Sequence, residues 1–336
     1  MLTQKDIARE LNISRSLVSH ALNNRSGVNE ETRNRVLERA GKLNYRNNIF
    51  ASAMRSKTSK FICNIYCKGK TQIETPADLF QRQINAQGYH CMNICIDPED
   101  NNESLLDLLY SRFFAGVIVN QNNPEITISG EKISKLIKKS GIPCVIYGSG
   151  INHSKNDTPA VIIDVELGYK NITELLIKNG AKKIIFIGRD SFTSNKKFKA
   201  VEETCTLHGI IPKHSKSFIH KLNTPVPFEF GREVAQHVNL SEIDAAICAN
   251  DIYALGFVNG AVKRGAKIPE QIKVVGCDNM KFSNFSIVQI SSIDLYSVEF
   301  VEKVVGTLFD AIAHKDIPPV QLVVPEIIER ESSSTK

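Results

Sequence analysis

Eight short apolar runs between residues 61 and 279 constrain the fold of this chain most strongly. Their lengths suit buried strands, and amphipathic stretches such as 131–140, 167–179 and 253–264 lie between several of them. Alternation of strands and helices over this length predicts doubly wound α/β domains, with binding sites at the carboxyl ends of the strands. The eight runs are FICNIYC, YHCMNICI, AGVIVNQ, CVIYG, AVIID, KIIFIG, AAICAN and KVVGCDN.

The first sixty residues have a different, all-helical pattern. Thr3 is placed to cap a helix over residues 4–11, Ser14 begins a second helix after a tight turn, and Asn29 opens a third. Two short helices joined by a tight turn, with a third closing the core, form a helix-turn-helix unit. The apolar positions that define the three stripes are Ile7, Ala8, Leu11, Leu17, Val18, Ala21, Leu22, Val36, Leu37, Ala40 and Leu43.

Charge is concentrated in this helical segment. The chain carries a net charge of +6, but residues 1–60 alone carry +7 and the remaining residues −1. A basic head on a neutral body is the electrostatic footprint of nucleic-acid binding. A three-helix protein-interaction module is the alternative interpretation of the same helices.

The second helix is the element that enters the major groove of DNA in a helix-turn-helix. Its early exposed positions are predicted to reach base edges, and they are Arg15, Ser16, Ser19 and His20. Arg15 suits bidentate recognition of guanine, and His20 can donate or accept a hydrogen bond at a base edge.

Other classes of protein fit the sequence poorly. No stretch is apolar enough to cross a membrane, and the charged N-terminus does not form an export signal, so a cytoplasmic protein is expected. Most of the eight cysteines lie in apolar runs and predict buried thiols rather than a metal site. Nucleotide-binding, zinc-protease and nucleophile-elbow motifs are not found, so we expect no cofactor, no metal and no enzymatic activity.

The segment TQKDIARELNISRSLVSHALN resembles the opening signature of the lactose-repressor/galactose-repressor (LacI/GalR) family. The segments IDAAICANDIYALGF and KIPEQIKVVGCDN, with the terminal Glu329-Arg330, also follow that family. The resemblance implies a body like periplasmic sugar-binding proteins, in which the chain crosses between two subdomains three times. The implied domains are a helix-turn-helix headpiece (1–45), a hinge helix and linker (46–60), and an effector-binding and dimerisation module (61–336). Within the module, the N-subdomain is implied at about 61–160 and 291–321. The C-subdomain is implied at about 161–290 and 322–333.

The family resemblance also implies further DNA contacts. In the family a hinge helix lies in the minor groove, where Met54 matches the wedge that bends DNA and Arg55 would contact phosphate. A homodimer on a pseudo-palindromic operator is expected, and a dimer is favoured because ERESSSTK lacks the helix by which some members become tetramers. The other matched positions are Thr3, Asn23, Tyr45 and Ala51.

An effector site is implied in the cleft between the two subdomains. Asp278 and Asn250 match ligand contacts of the family, and the carboxylate of Asp278 suits the hydroxyl groups of a sugar. The family's ligand-gripping arginine aligns best with Lys197, and neighbouring Lys196 is the alternative because the local alignment is loose. Asp251 is expected to cap the following helix. Further departures from the family, which suggest an effector unlike the common hexoses, are Val226 at the aromatic platform and Gly148 at an acidic position.

The sequence thus favours a transcription regulator, specifically a repressor, whose operator affinity depends on a small-molecule effector. A cytosolic solute-binding protein and a sugar-acting enzyme without a DNA role are the alternatives. A further alternative is that the cleft has lost its ligand and the module acts only as a dimerisation scaffold.

Overall fold

The computed structural model describes residues 3–45, 59–67, 76–96, 107–109, 113–121, 139–149, 158–214 and 226–334. The chain divides into two compact units, 1–59 and 60–336. Within the part that the structure describes, no helix is long and apolar enough to cross a membrane.

Over its described residues 3–45, the first unit contains three helices, α1 (Gln4–Leu11), α2 (Arg15–Leu22) and α3 (Glu30–Lys42). They begin where the sequence predicts, because Thr3, Ser14 and Asn29 are the residues that precede them. Their apolar stripes meet in one small core of Ile7, Ala8, Val18, Ala21, Val36 and Ala40.

The second unit is built on two sheets, each at the centre of one lobe. The strands of lobe 1 are β1 (Phe61–Cys67), β2 (His90–Ile96), β3 (Gly116–Asn120), β4 (Cys144–Gly148), β5 (Ala160–Ile163) and β11 (Val320–Val323). Those of lobe 2 are β6 (Ile184–Ile187), β7 (Lys213–His214), β8 (Ala245–Cys248), β9 (Lys273–Cys277), β10 (Ser291–Asp294) and β12 (Glu326–Ile328).

Both sheets have the order expected of doubly wound domains. Lobe 1 has the order β11-β5-β4-β3-β1-β2 and lobe 2 the order β12-β10-β9-β8-β6-β7. All pairs are parallel except β10 with β12. The helices around them are α4 (Ala77–Ala86), α5 (Val165–Lys178), α6 (Phe192–Leu207), α7 (Pro227–His237), α8 (Asp251–Lys263) and α9 (Val298–Ile312).

All eight predicted strands are present, but one is not buried as predicted. Strand β2 lies at the edge of its sheet and buries only Ile96 fully. The strands β7, β10, β11 and β12 carry weaker apolar patterns and were not predicted.

The chain passes between the lobes at three places, which we call crossing 1 (residue 164), crossing 2 (295–297) and crossing 3 (324–325). The first two lie a few residues later than the implied boundaries at 160/161 and 290/291, because β5 pairs within lobe 1 and β10 within lobe 2. Strand β11 likewise keeps residues 322–323 in lobe 1.

Candidate nucleic-acid interface and effector site

The turn between α1 and α2 has the geometry of a helix-turn-helix. Asn12 ends α1 in the left-handed conformation, with φ 52° and ψ 44°, which Asn tolerates better than most residues. The hydroxyl of Ser14 then accepts a hydrogen bond from the backbone N–H of Leu17 at 3.1 Å and caps α2. The tight turn predicted before Ser14 is therefore present.

Helix α2 buries one face and presents the other to solvent. Val18 and Ala21 are buried in the headpiece core. The 3.6-residue period of the helix therefore turns the four predicted base-reading residues outward. Arg15 and Ser16 are exposed, and Ser19 and His20 are partly exposed.

Two arginines of α3 are committed to holding the headpiece together. Arg39 forms an ion pair with Glu10 of α1. Arg33 donates one hydrogen bond to the side chain of Asn24 and another, at 2.9 Å, to the carbonyl oxygen of Arg25. Part of the positive charge of residues 1–60 therefore stabilises the fold, a use that the sequence pattern did not reveal.

Three further residues with a predicted DNA contact have structural partners within the headpiece. The hydroxyl and backbone N–H of Thr3 donate to the carboxylate of Asp6 at 2.7 and 2.8 Å, and the hydroxyl bond is the main reason that the pKa of Asp6 is lowered. The amide of Asn23 donates to the carbonyl oxygen of Ser19 at 2.7 Å. Tyr45 packs against the headpiece core.

The DNA contacts of these three residues stay predictions. The hinge residues Ala51, Met54 and Arg55 lie outside the described residues.

Lys197 and Asp278 meet at the carboxyl edge of the lobe 2 sheet. The ammonium of Lys197, on α6, donates to the carbonyl oxygen of Ala249 at 2.8 Å and to the Sγ of Cys277 at 3.7 Å. It also lies 5.4 Å from the centre of the Tyr169 ring. The Cys277 thiol donates to Oδ1 of Asp278 at 3.6 Å, so one thiol joins the two charged side chains.

The electrostatics of this pair reflect burial and mutual attraction. Burial raises the pKa of Asp278, and the Lys197 ammonium opposes that shift. Burial lowers the pKa of Lys197, but Cys277 and Asp278 outweigh it, so the pKa lies above its usual value. The carboxylate of Asp278 thus favours the charged form of Lys197, and the ammonium favours the charged form of Asp278.

Helix α8 is capped by Asn250, not by Asp251 as expected. Asn250 is the cap of α8, because its Oδ1 accepts hydrogen bonds from the N–H groups of Ile252 and Tyr253 at 3.1 and 3.2 Å. The prediction that Asp251 caps the helix is therefore wrong. An effector contact by Asn250 stays a prediction.

Asp251 is instead a fully buried carboxylate that joins three segments. It accepts hydrogen bonds, each at 2.7 Å, from the backbone N–H of Met280 and the hydroxyls of Ser283 and Ser292. Burial raises its pKa to about 7, although the serine hydroxyls favour the charged form. No local sequence pattern indicates this role, because the three donors lie 29 to 41 residues away.

The structure also shows where Val226 and Gly148, the two departures from the family pattern at the aromatic platform and the acidic position, lie. Val226 is exposed and precedes α7. Phe230, four residues later, is buried with its ring centre 5.5 Å from that of Tyr253. Gly148 is buried at the end of β4.

Two family models match this chain. Residues 3–48 match the bacterial regulatory proteins of the lacI family, and residues 173–333 match the periplasmic binding protein-like domain. The headpiece is therefore similar to that of lacI-family regulatory proteins, and residues 173–333 are similar to periplasmic binding protein-like domains. The first match covers the headpiece, and the second covers most of lobe 2 together with the part of lobe 1 between crossings 2 and 3.

Two relatives cover nearly the whole chain. Catabolite control protein A of Staphylococcus xylosus is 29% identical over 98% of both chains. The HTH-type transcriptional repressor PurR of Glaesserella parasuis serovar 5 (strain SH0165) is 26% identical over 98% of this chain and 95% of the relative.

Solved structures show the same fold. A lac repressor dimer bound to operator and the anti-inducer ONPF has a TM-score of 0.77 at 18% identity, with 99% of each chain covered. A complex of the transcriptional regulator CelR with cellobiose has a TM-score of 0.63 at 17% identity, covering 99% of this chain and all of the other.

Proposed function

We propose that this protein is a sequence-specific DNA-binding transcription regulator, a repressor whose operator affinity is controlled by a small-molecule effector. The observation that carries the proposal is the exposed polar face of α2, which presents Arg15 and Ser16 from a LacI-type headpiece. Direct readout of bases requires such a rigid, solvent-facing set of donors and acceptors. A DNA-binding role also places the protein in the cytoplasm, with the chromosome.

The effector is assigned to the edge of lobe 2 where Lys197 and Asp278 meet. Charged groups of both signs, held in place by Ala249 and Cys277, offer donors and an acceptor to a polar metabolite. A sugar-like or related metabolite is the proposed class. A solute-binding protein or sugar-acting enzyme is not favoured, because the relatives across the whole chain are regulators. We therefore propose no enzymatic activity.

A homodimer is the proposed assembly. In lobe 2, Phe285 and Ile287 are 86% and 83% exposed, directly after a 3-10 turn over Lys281–Asn284. Two large apolar side chains so close together in an exposed loop favour burial against a second copy. Two headpieces on one dimer would also raise affinity for a pseudo-palindromic operator through effective concentration.

The experiment that tests the function is selection of genomic fragments by the full-length protein. Fragments retained from a sheared genomic library would be sequenced and then retitrated individually against a shuffled sequence of equal length. We expect a small set of fragments that share a pseudo-palindromic motif. Retention without any shared motif would contradict sequence-specific binding.

A matched pair of variants sharpens this selection. Arg15→Ala removes a cation from the exposed face of α2, and Arg35→Ala removes the same charge from an exposed position on α3. The motif should be lost or relaxed with Arg15→Ala and retained with Arg35→Ala. Equal behaviour of the two variants would mean that charge alone governs retention.

A further inference from the structure

The side chain of Asn279, the residue after Asp278, bonds to a residue that precedes crossing 2 and to another five residues after crossing 3. Its Nδ2 donates to Oδ2 of Asp294 at 2.9 Å, and its Oδ1 accepts from the guanidinium of Arg330 at 2.5 Å. Asp294 is the last residue before crossing 2, and Arg330 follows the strand that comes after crossing 3. Arg330 also donates to the carbonyl oxygen of Ile290 at 2.6 Å, so it holds the start of β10 as well.

The backbone that carries Asp278 and Asn279 is strained and tightly held. Their φ angles are +91° and +47°, in the left-handed region that is uncommon for residues other than glycine, although Asp and Asn adopt it more often than most. Asp278 donates its N–H to the carbonyl oxygen of Ile293, and Asn279 donates its N–H to the hydroxyl of Ser292, both at 2.9 Å. Strain of this kind persists only where the surroundings enforce it, and it occurs most often at functional sites.

We propose that Asn279 is a positioning residue that transmits effector occupancy at Asp278 to crossings 2 and 3. The proposal rests on the proposed function, because it takes Asp278 as an effector contact. Asp278 and Asn279 share one strained turn, so a ligand that shifts the carboxylate of Asp278 also shifts the amide of Asn279. Asp294 and Arg330 then move with that amide, which biases the angle between the lobes. Arg330 of the Glu329-Arg330 motif thus takes part in this transmission through its bond to Asn279.

A polarity swap tests the connection without knowledge of the effector. Asn279→Asp places two carboxylates against each other at Asp294. Adding Asp294→Asn restores a donor and an acceptor of the same shape, while the other oxygen of residue 294 still accepts from the N–H of Tyr296, as it does at 2.9 Å in the native protein. Hydrogen–deuterium exchange of the full-length protein would be followed in peptides covering 295–297 and 324–330.

We expect Asn279→Asp to accelerate exchange in both crossing peptides by about fivefold or more, the lower end of typical coupling between sites. The double variant should return to the native rates. If Asn279→Asp fails to fold, recovery of a folded protein by adding Asp294→Asn supports the proposal. Native exchange in Asn279→Asp, or no rescue in the double variant, overturns it.

Transmission from Asp278 is tested in a severed background. Asn279→Gly removes both amide contacts but tolerates the left-handed backbone. Asp278→Asn should change exchange in the crossing peptides of the native protein and leave it unchanged in the Asn279→Gly protein. If Asn279 had only a structural role, Asp278→Asn would have the same effect on exchange in both backgrounds. That result would overturn the proposal.

The same variants separate this inference from the proposed function. Exchange at the crossings requires neither DNA nor effector, so failure to retain any genomic fragment would contradict the function and leave the exchange result decisive. Conversely, motif-specific DNA retention combined with additive exchange effects would uphold the function and overturn the role of Asn279.

Discussion

The ammonium of Lys197 donates to the carbonyl oxygen of Ala249 at 2.8 Å, at the end of the central strand β8. This bond fixes a cation of helix α6 against the carboxyl edge of the lobe 2 sheet before any effector binds. A preorganised group loses little freedom on binding a ligand, so it contributes more of its interaction to affinity. The neighbouring carboxylate of Asp278 completes a site of mixed charge.

The first prediction concerns this pair. Lys197→Ala and Asp278→Ala should abolish the effector response of the full-length protein, because each removes a charged contact. Operator affinity without effector should stay close to native, since neither residue belongs to the headpiece. The measurement is DNA release, followed by fluorescence anisotropy, in a panel of sugars, sugar phosphates and nucleobases.

Lys196→Ala is the matched control for this measurement. Lys196 is exposed, and its ammonium lies 3.7 Å from the carboxylate of Glu166. We expect a native response in Lys196→Ala. Loss of the response in Lys196→Ala, with a native response in Lys197→Ala, would transfer the role to Lys196.

The second prediction is a pH dependence of stability caused by Asp251. Its pKa is about 7 in the folded protein against 3.8 for an ordinary Asp, so folding favours the protonated form. Its contribution to stability is therefore fully present below about pH 4 and is lost as the pH rises to 7, by on the order of 2–4 kcal/mol. Asp251→Asn keeps the shape without titrating. The free energy of unfolding of the native protein, relative to this variant, should fall between pH 4 and 8; parallel pH curves would disprove the role.

The third prediction uses two glycines in helices. A Cβ added to Gly256 of α8 would lie 2.0 Å from the backbone oxygen of Phe228, which cannot move aside as a side chain can. Gly256→Ala should therefore destabilise the protein by about 3 kcal/mol or more. Gly306 of α9 is exposed with nothing within 4 Å of such a Cβ, and Gly306→Ala should stabilise by about 0.5–1 kcal/mol. Urea unfolding midpoints that move in the same direction for both would contradict this packing.

The fourth prediction concerns the dimer. Replacing Phe285 and Ile287 together with Asp should shift the protein to monomer in sedimentation velocity, because charges would be buried against the second copy. Leu207 and Ile211 are as exposed, at 83% and 93%, and the same double replacement there is the control that should remain dimeric. A dimer that survives the first replacement would place the interface elsewhere.

The sequence predicted those parts of the fold that depend on local patterns. Apolar runs identified eight strands, and cap residues such as Ser14 and Asn29 located the headpiece helices, because a cap acts within three residues of itself. Strand β10 was missed because it begins with Ser291 and Ser292. Both are buried, and Ser332, Ser333, Asp251 and Arg330 satisfy them across 39 to 42 residues of chain.

The candidate site could be predicted only in part for the same reason. Family position indicated Lys197 and Asp278, and the structure brings them together through Cys277. Asn and Asp are equally good caps, so the sequence had no means to choose between Asn250 and Asp251. The choice depends on a cluster of donors that only the folded lobe assembles around Asp251.

The most direct test of the account is the ratio of two dissociation constants at one fixed salt concentration. These are the values of the full-length protein for its selected operator and for a scrambled fragment of equal length. We predict that native protein prefers the operator by about 1,000-fold or more. Arg15→Ala should weaken operator binding by about 1–3 kcal/mol and change binding to the scrambled fragment far less, whereas Arg35→Ala should lower both alike. Equal affinity of the native protein for the two fragments would contradict a sequence-specific regulator.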